Sequence, residues 1–320
     1  MNNKHKNNLY NLAKVFVTVG ILVYIFSKLN VNIKDLLDNI IDYKFLVLAF
    51  VFPTLITTYI SANRWMSFLR MIGVRVSVWE LIKINFQSAF LSIILPSSQG
   101  MDLLRIYKIE KKHPEKRGVV GSTVLIERIF GLVCLLLIAV VAWLFILSEI
   151  FVIPIILLFV ILCFVFFIIK NETCFVNICK LLLSFKFCLK ISLYLVKLYT
   201  GIHKFPFTKK LYLSMLLIFF AQLSNILVVY FLFKSYGYNI DLLYHLCYQP
   251  LISVITMIPI TIGSLGVREG LFIMFYSVLN IPDAIIISVS LFYYICVTLL
   301  PALIGGVIYS VDSLKNKLIK

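Results

Sequence analysis

Charged side chains are sparse in this sequence, and three groups of them lie in or beside long apolar runs: Asp102 with Arg105, Glu127 with Arg128, and Arg268 with Glu269. An ionised group at membrane depth is costly, so each is expected to have a function and a specific partner. A guanidinium can grip a phosphate through two parallel N–H donors, which an ammonium cannot match. A nearby carboxylate can hold that guanidinium in place while the site is empty. Neighbours on a helix point about 100° apart, so neither Glu127 nor Glu269 is expected to neutralise the arginine beside it. The expected scheme crosses the groups: Arg128 or Arg268 meets Glu269, Glu127 or Asp102 from another element, and any guanidinium in excess takes the phosphate.

A further carboxylate group has the spacing for catalysis. Asp35, Asp38 and Asp42 are 3 and 4 residues apart, on one face of a short helix after the first apolar run. There they would supply the base or metal ligand of a membrane transferase using a polyprenyl-phosphate donor. With Lys34 and Lys44 beside them, they also read as the solvated face of an amphipathic helix. The four histidines, His5, His113, His203 and His245, have no metal-ligand spacing. Cys134, Cys163, Cys247 and Cys296 sit inside apolar runs, and the cysteines form no disulfide framework. No Walker-type phosphate loop occurs. No metal and no cofactor are therefore assigned, and movement of a substrate would be gradient-driven or downhill.

Membrane elements must position these residues. The chain of 320 residues is 62% hydrophobic and only 14% charged, against about 25% in a soluble domain, and its mean hydropathy is +1.02. This excludes most soluble-enzyme readings and implies one all-α, polytopic membrane domain over residues 1–320. Windows of about 20 apolar residues give six full spans, at residues 10–27, 45–63, 129–148, 150–169, 211–233 and 284–311. The basic N-terminus precedes no signal-peptide cleavage site, so the first span is expected to be retained. Basic residues collect in the N-terminus and at residues 64–75, 105–117, 170–210 and 315–320, which the positive-inside rule places in the cytoplasm. Both termini then lie on the cytoplasmic side of the cytoplasmic membrane. The net charge of +16 reads as attraction to anionic lipid, not to nucleic acid.

Two apolar regions are left over, residues 83–108 and 242–282, and each begins and ends on one side. Each is expected to be a re-entrant pair of half-helices, the two entering from opposite faces. Their breakpoints share Pro-x-x-x-Gly, as Pro96 with Gly100 and Pro259 with Gly263. Non-helical backbone at such depth is tolerated only where it packs in protein or lines a wet cavity, and broken helices form the midplane sites of secondary transporters with inverted repeats. The alternative for the second region is a kinked span over residues 242–262 with a loop at 263–270. Residues 170–210 read as an interfacial helix whose Lys186, Lys190, Lys197 and Lys204 form one stripe on anionic headgroups.

Together, Arg64-Trp65, Leu95-Pro96, Gly100-x-Asp102-x-x-Arg105, Glu127-Arg128-Ile129-x-Gly131 and Pro259-x-x-x-Gly263-x-x-Gly266-Val267-Arg268-Glu269-Gly270 resemble the lysylphosphatidylglycerol synthase transmembrane-region family, also called flippase-like integral membrane proteins. The last motif is the most specific. Ser97, Met101 and Ser264 stand where that family often has glycine. The resemblance implies about eight membrane elements, re-entrant ones included, allows a homodimer, and implies an association with moving or modifying lipids or lipid-linked glycans. Full-length aminoacyl-phosphatidylglycerol synthases add a soluble catalytic domain after this region. None follows the last apolar run here, so lysyl transfer by this polypeptide alone is not expected.

Three functions compete on the sequence. The leading one is a non-enzymatic translocator of an anionic phospholipid or a polyprenyl-phosphate-linked glycan. In it, Arg268 and Arg128 receive the headgroup phosphate, Arg105 is an entry contact, and Glu127, Glu269 and Asp102 hold the arginines, with Pro96, Gly100, Pro259, Gly263 and Gly266 shaping the breaks. The second is an integral-membrane transferase of glycosyl or aminoacyl-phosphatidylglycerol type, relying on Asp35, Asp38 and Asp42. The third is a lipid-sensing accessory subunit in cell-envelope assembly.

Overall fold

The computed structural model describes residues 39–94, 100–146, 156, 159, 160, 163, 171, 205, 210–258 and 260–318, and every regular element among them is a helix. Helix α1 (Tyr43–Met71) starts at Asp42, whose carboxylate accepts from the Lys44 N–H at 2.9 Å. Pro53 has no N–H to give, and its ring crowds the carbonyl four residues back. The helix widens there into a π turn, Phe52–Thr57, and resumes as Thr58–Met71. The carbonyls of Phe52 and Pro53 accept from the hydroxyls of Thr57 (3.2 Å) and Thr58 (3.1 Å), which satisfies backbone groups where lipid offers no partner.

Helices α2 (Val78–Ile94), α3 (Gly100–Lys112), α4 (Val119–Ile146), α5 (Lys210–Ser235), α6 (Leu242–Ile255) and α7 (Val267–Tyr276) follow. Helix α8 runs as Asp283–Tyr294, a second π turn at Ile295–Leu299 just before Pro301, and Leu300–Leu318. Among the described residues, four helices are long and apolar enough to cross a membrane: α1, α4, α5 and the Asp283–Leu314 part of α8. Helix α6 has 14 residues, about 21 Å at roughly 1.5 Å per residue, short of the hydrocarbon core of about 30 Å. Helix α7, with 10 residues, is shorter still.

Several boundaries differ from those read in the sequence, for a common reason: counting uncharged residues stops at the first charge, whereas a helix continues until its backbone is interrupted. Helix α1 therefore carries Arg64 and Arg70 that looked like loop residues, and α4 begins at Val119, ahead of Glu127 and Arg128. In the 242–282 region, α6 stops at Ile255, so no continuous helix extends to residue 262, and residues 267–270 are helical, not loop. In the 83–108 region, α2 is described to Ile94 and α3 from Gly100. Pro96, Ser97, Pro259, Asp35, Asp38, the span at residues 10–27 and the lysine stripe at Lys186, Lys190, Lys197 and Lys204 lie outside the described residues, as does most of residues 150–169.

The chain divides into two compact units. The first comprises residues 1–58, 85–104 and 223–320. In it the N–H groups of Ile41 and Asp42 donate to the Ser235 carbonyl (2.8 and 3.0 Å), tying the start of α1 to the end of α5. The two π turns pack against each other. Aromatic rings of α5, α6 and α7 build the interior, with Phe233 and Tyr276 at 4.6 Å and the Tyr276 hydroxyl 3.0 Å from His245 Nδ1. Helix α8 approaches α2 so closely at Gly305 that a Cβ there would lie 1.8 Å from the Phe86 carbonyl oxygen. Small residues permit this backbone contact between membrane helices.

The second unit comprises residues 59–84 and 105–222. Its core gathers Trp65, Phe68, Leu69, Leu81, Ile109, Val120 and Ile218. The turn into α4 is set by Gly118, whose N–H donates to Glu110 Oε1 at 2.8 Å.

Candidate functional sites

In the second unit, one buried carboxylate organises the polar residues. Glu127 lies on α4 in its third turn, 4% exposed. Its Oε1 accepts from Arg64 Nη2 of α1, and its Oε2 faces Arg105 Nη2 of α3 at 3.4 Å. The Arg105 guanidinium lies over the Trp65 ring, 4.3 Å from its centroid, a cation–π contact that fixes its plane. Trp65 is in turn held by its indole N–H, which donates to Thr123 Oγ1 at 3.2 Å. One turn further along α4, the Gly131 carbonyl accepts from Gln222 Nε2 of α5 at 3.4 Å. The trio of Arg64, Arg105 and Glu127 carries net positive charge inside an apolar shell. Such a cluster suits an anion with several acceptor oxygens.

In the first unit, the break between α6 and α7 carries the other charges. The chain leaves α6 at Thr256 and takes left-handed conformations at Gly263 (φ 62°), Ser264 (φ 58°) and Gly266 (φ 84°). Such backbone suits glycine. Ser264 holds it with its hydroxyl donated to the Thr256 carbonyl at 2.8 Å, closing the break on itself. A Cβ at Gly263 would press on the Tyr294 hydroxyl at 3.2 Å. Glu269 is fully buried. It accepts from the Gly266 N–H at the start of α7 and from the Ser290 hydroxyl of α8 at 3.0 Å. Arg268 Nε and Nη2 both lie 3.4 Å from Glu269 Oε1, and its guanidinium stacks 4.7 Å from the Tyr294 ring centroid.

Among the described residues, Glu127 and Glu269 take partners outside the crossed scheme expected from the sequence. Glu127 is held by Arg64 and Arg105, whereas Arg128 points about 100° away and is exposed on α4. Arg268 and Glu269 do neutralise each other, because both side chains are long enough to fold back toward one point despite diverging Cβ directions. Arg105, expected as a cytoplasmic entry contact, is 5% exposed. Asp102 and Gly100 are buried at the start of α3. Of the proposed catalytic aspartates, Asp42 is used as the cap of α1. Arg64, Ser290, Tyr294 and Thr123 were not singled out as site residues from the sequence. Only Arg64 left a trace there, in the Arg64-Trp65 dipeptide.

A membrane-embedded, multi-pass helical protein with buried arginine–carboxylate clusters is thus defined. A match to the lysylphosphatidylglycerol synthase TM region over residues 11–305 shows that the chain belongs to that family. It is 22% identical over 318 residues to a UPF0104 membrane protein of Methanocaldococcus jannaschii, covering 94% of this chain and 93% of that one. It is 24% identical over 332 residues to a UPF0104 membrane protein of Pyrococcus horikoshii, covering 96% and 97%. A second UPF0104 membrane protein of M. jannaschii is 29% identical over 232 residues, 69% of this chain and 93% of that protein. No solved structure matches the chain.

Proposed function

We propose that this protein translocates a phosphate-bearing amphipathic lipid, a phospholipid or a polyprenyl-phosphate-linked glycan, across the cytoplasmic membrane. The observation that carries the reading is the buried trio in which Glu127 is shared by Arg64 and Arg105. The carboxylate occupies the place of a phosphate. When a lipid phosphate arrives, the guanidiniums exchange one anion for another, so neither state leaves them bare in low dielectric. Trp65 keeps Arg105 oriented through the exchange. Exposed Arg128 fits the first contact with a headgroup, the role expected of Arg105. In the first unit, Arg268 and Glu269 with Gly263 and Gly266 form a separate polar break. Family membership supports a lipid-linked role, and a homodimer remains an assembly this reading accommodates.

The test is flipping of a fluorescent phosphatidylglycerol in vesicles containing the purified protein. Arg64→Gln and Arg105→Gln are each expected to slow the initial rate about ten-fold or more, as when one bidentate anion contact of about 1.5–3 kcal/mol is lost. Helix content by circular dichroism should be unchanged. Wild-type rates in both folded variants would overturn the assignment.

A further inference from the structure

One ionisable side chain of the first unit takes no part in either charge cluster. His245 of α6 is fully buried, one turn beyond the Asp241 cap that opens the helix. Its Nδ1 lies 3.0 Å from the hydroxyl of Tyr276 at the end of α7, and its Nε2 is buried with no hydrogen-bond partner. Three rings enclose the imidazole, those of Tyr230 and Phe233 of α5 and of Tyr276, with centroids at 5.6, 5.5 and 5.5 Å. The titratable and charged groups around the pair are Asp241, Tyr244, Cys247 and Tyr248 of α6, Tyr293 of α8, and Lys234 of α5, whose Nζ lies 4.7 Å from the Tyr230 centroid. Of these only Asp241 and Lys234 are charged at neutral pH, and Asp241 is exposed.

We infer that His245, with Tyr276, is the site that binds a proton whose gradient drives translocation, one proton accompanying each anionic headgroup. The inference rests on the translocation reading for its cargo and adds what powers the movement. Imidazole exchanges a proton near neutral pH, and an ionisable group buried in a membrane protein with one nitrogen unmet is costly to keep for packing alone. The three rings lie within reach of a cation–π attraction, which offsets part of the cost of charging the imidazole. Exposed Asp241, one turn away, offers the proton a point of entry. Tyr276 turns the event into a structural signal: an imidazolium donates from both nitrogens, so the Tyr276 oxygen must accept and its own O–H must point elsewhere. Tyr276 is the last residue of α7, whose first turn holds Arg268 and Glu269, so one short helix joins the proton site to the break. A phosphodiester and a proton also cross as a neutral pair, without work against the membrane potential.

Vesicles containing the full-length protein would be given a gradient of about one pH unit, with the membrane potential clamped at zero by valinomycin and potassium, and fluorescent phosphatidylglycerol would be measured in both leaflets. The leaflet ratio is expected to shift several-fold relative to protein-free vesicles, toward the limit of about ten-fold that one proton per lipid sets. His245→Gln should return the ratio to that of protein-free vesicles while flipping without a gradient continues. Tyr276→Phe, which keeps the ring should His245→Gln fail to fold, should at least halve the shift. A purely structural histidine would change stability and leave the gradient response alone. A natural chain that flips the lipid without shifting the ratio, or a shift unchanged by His245→Gln, or by Tyr276→Phe where it alone folds, overturns the inference. Affinity for short-chain phosphatidylglycerol in detergent, at pH 5.5 and pH 7.5, reads the same linkage without transport: binding is expected to be several-fold tighter at the lower pH, and the difference should vanish in His245→Gln. That pattern in a chain that flips nothing would support the proton site and defeat the translocation reading alone. Equal affinity at both pH values in such a chain would overturn both.

Discussion

Glu127 answers two arginines at once, so its loss strands both in an apolar shell. Removing one partner of a buried ion pair costs about 3–5 kcal/mol. Glu127→Ala is accordingly expected to lower the midpoint of thermal unfolding in detergent far more than Glu80→Ala, which breaks the more exposed pair with Lys112. Similar shifts for the two would show that Glu127 is not the hub of its cluster. Which residues mattered was partly legible: the rarity of charge in apolar sequence marked Glu127, Arg105, Arg268 and Glu269. Their partnerships were not. Arg64 lies 63 positions from Glu127, and whether it reaches Glu127 depends on how α1 is rotated. Arg268 and Glu269 could pair only through side-chain reach, which spacing arguments ignore. Ser264 is a converse case: a glycine-favouring position was legible from the resemblance, and its left-handed backbone supplies the reason.

At the scale of elements, the two π turns govern how α1 and α8 run. A π turn absorbs one extra residue while leaving the flanking helical faces in phase. Deleting exposed Leu55, inside the π turn of α1, is therefore expected to yield an ordinary helix with Arg64 and Trp65 still facing inward. Deleting Ile60, in the regular part of the helix, would rotate everything before it by about 100° relative to Trp65. Purified yield and helix content should survive the first deletion and fall sharply with the second. Loss in both would mean that the turn is needed for itself. Pro53 and Pro301 were visible in the sequence, but a proline can kink, widen or end a helix, and the outcome depends on neighbours such as Thr57 and Thr58. The short lengths of α6 and α7 were easier to anticipate, since Gly263 and Gly266 interrupt any helix that must cross them.

At the scale of the whole molecule, each compact unit has its own polar centre, and the two differ in electrical character. In the first unit, Arg268 and Glu269 form a closed account of charge; in the second, Arg64 and Arg105 outnumber Glu127. The composition announced a basic membrane protein without showing where the imbalance is buried, because a net charge of +16 does not locate the charges that make it. The seated Glu127 carboxylate has a consequence for the resting protein: small halides find their berth already taken. Emptying that berth without changing its shape, by Glu127→Gln, should make the protein depend on chloride for stability, through the mass action of an ion that binds only the folded form. Its melting midpoint would climb as chloride replaces gluconate, whereas the natural chain would ignore the exchange.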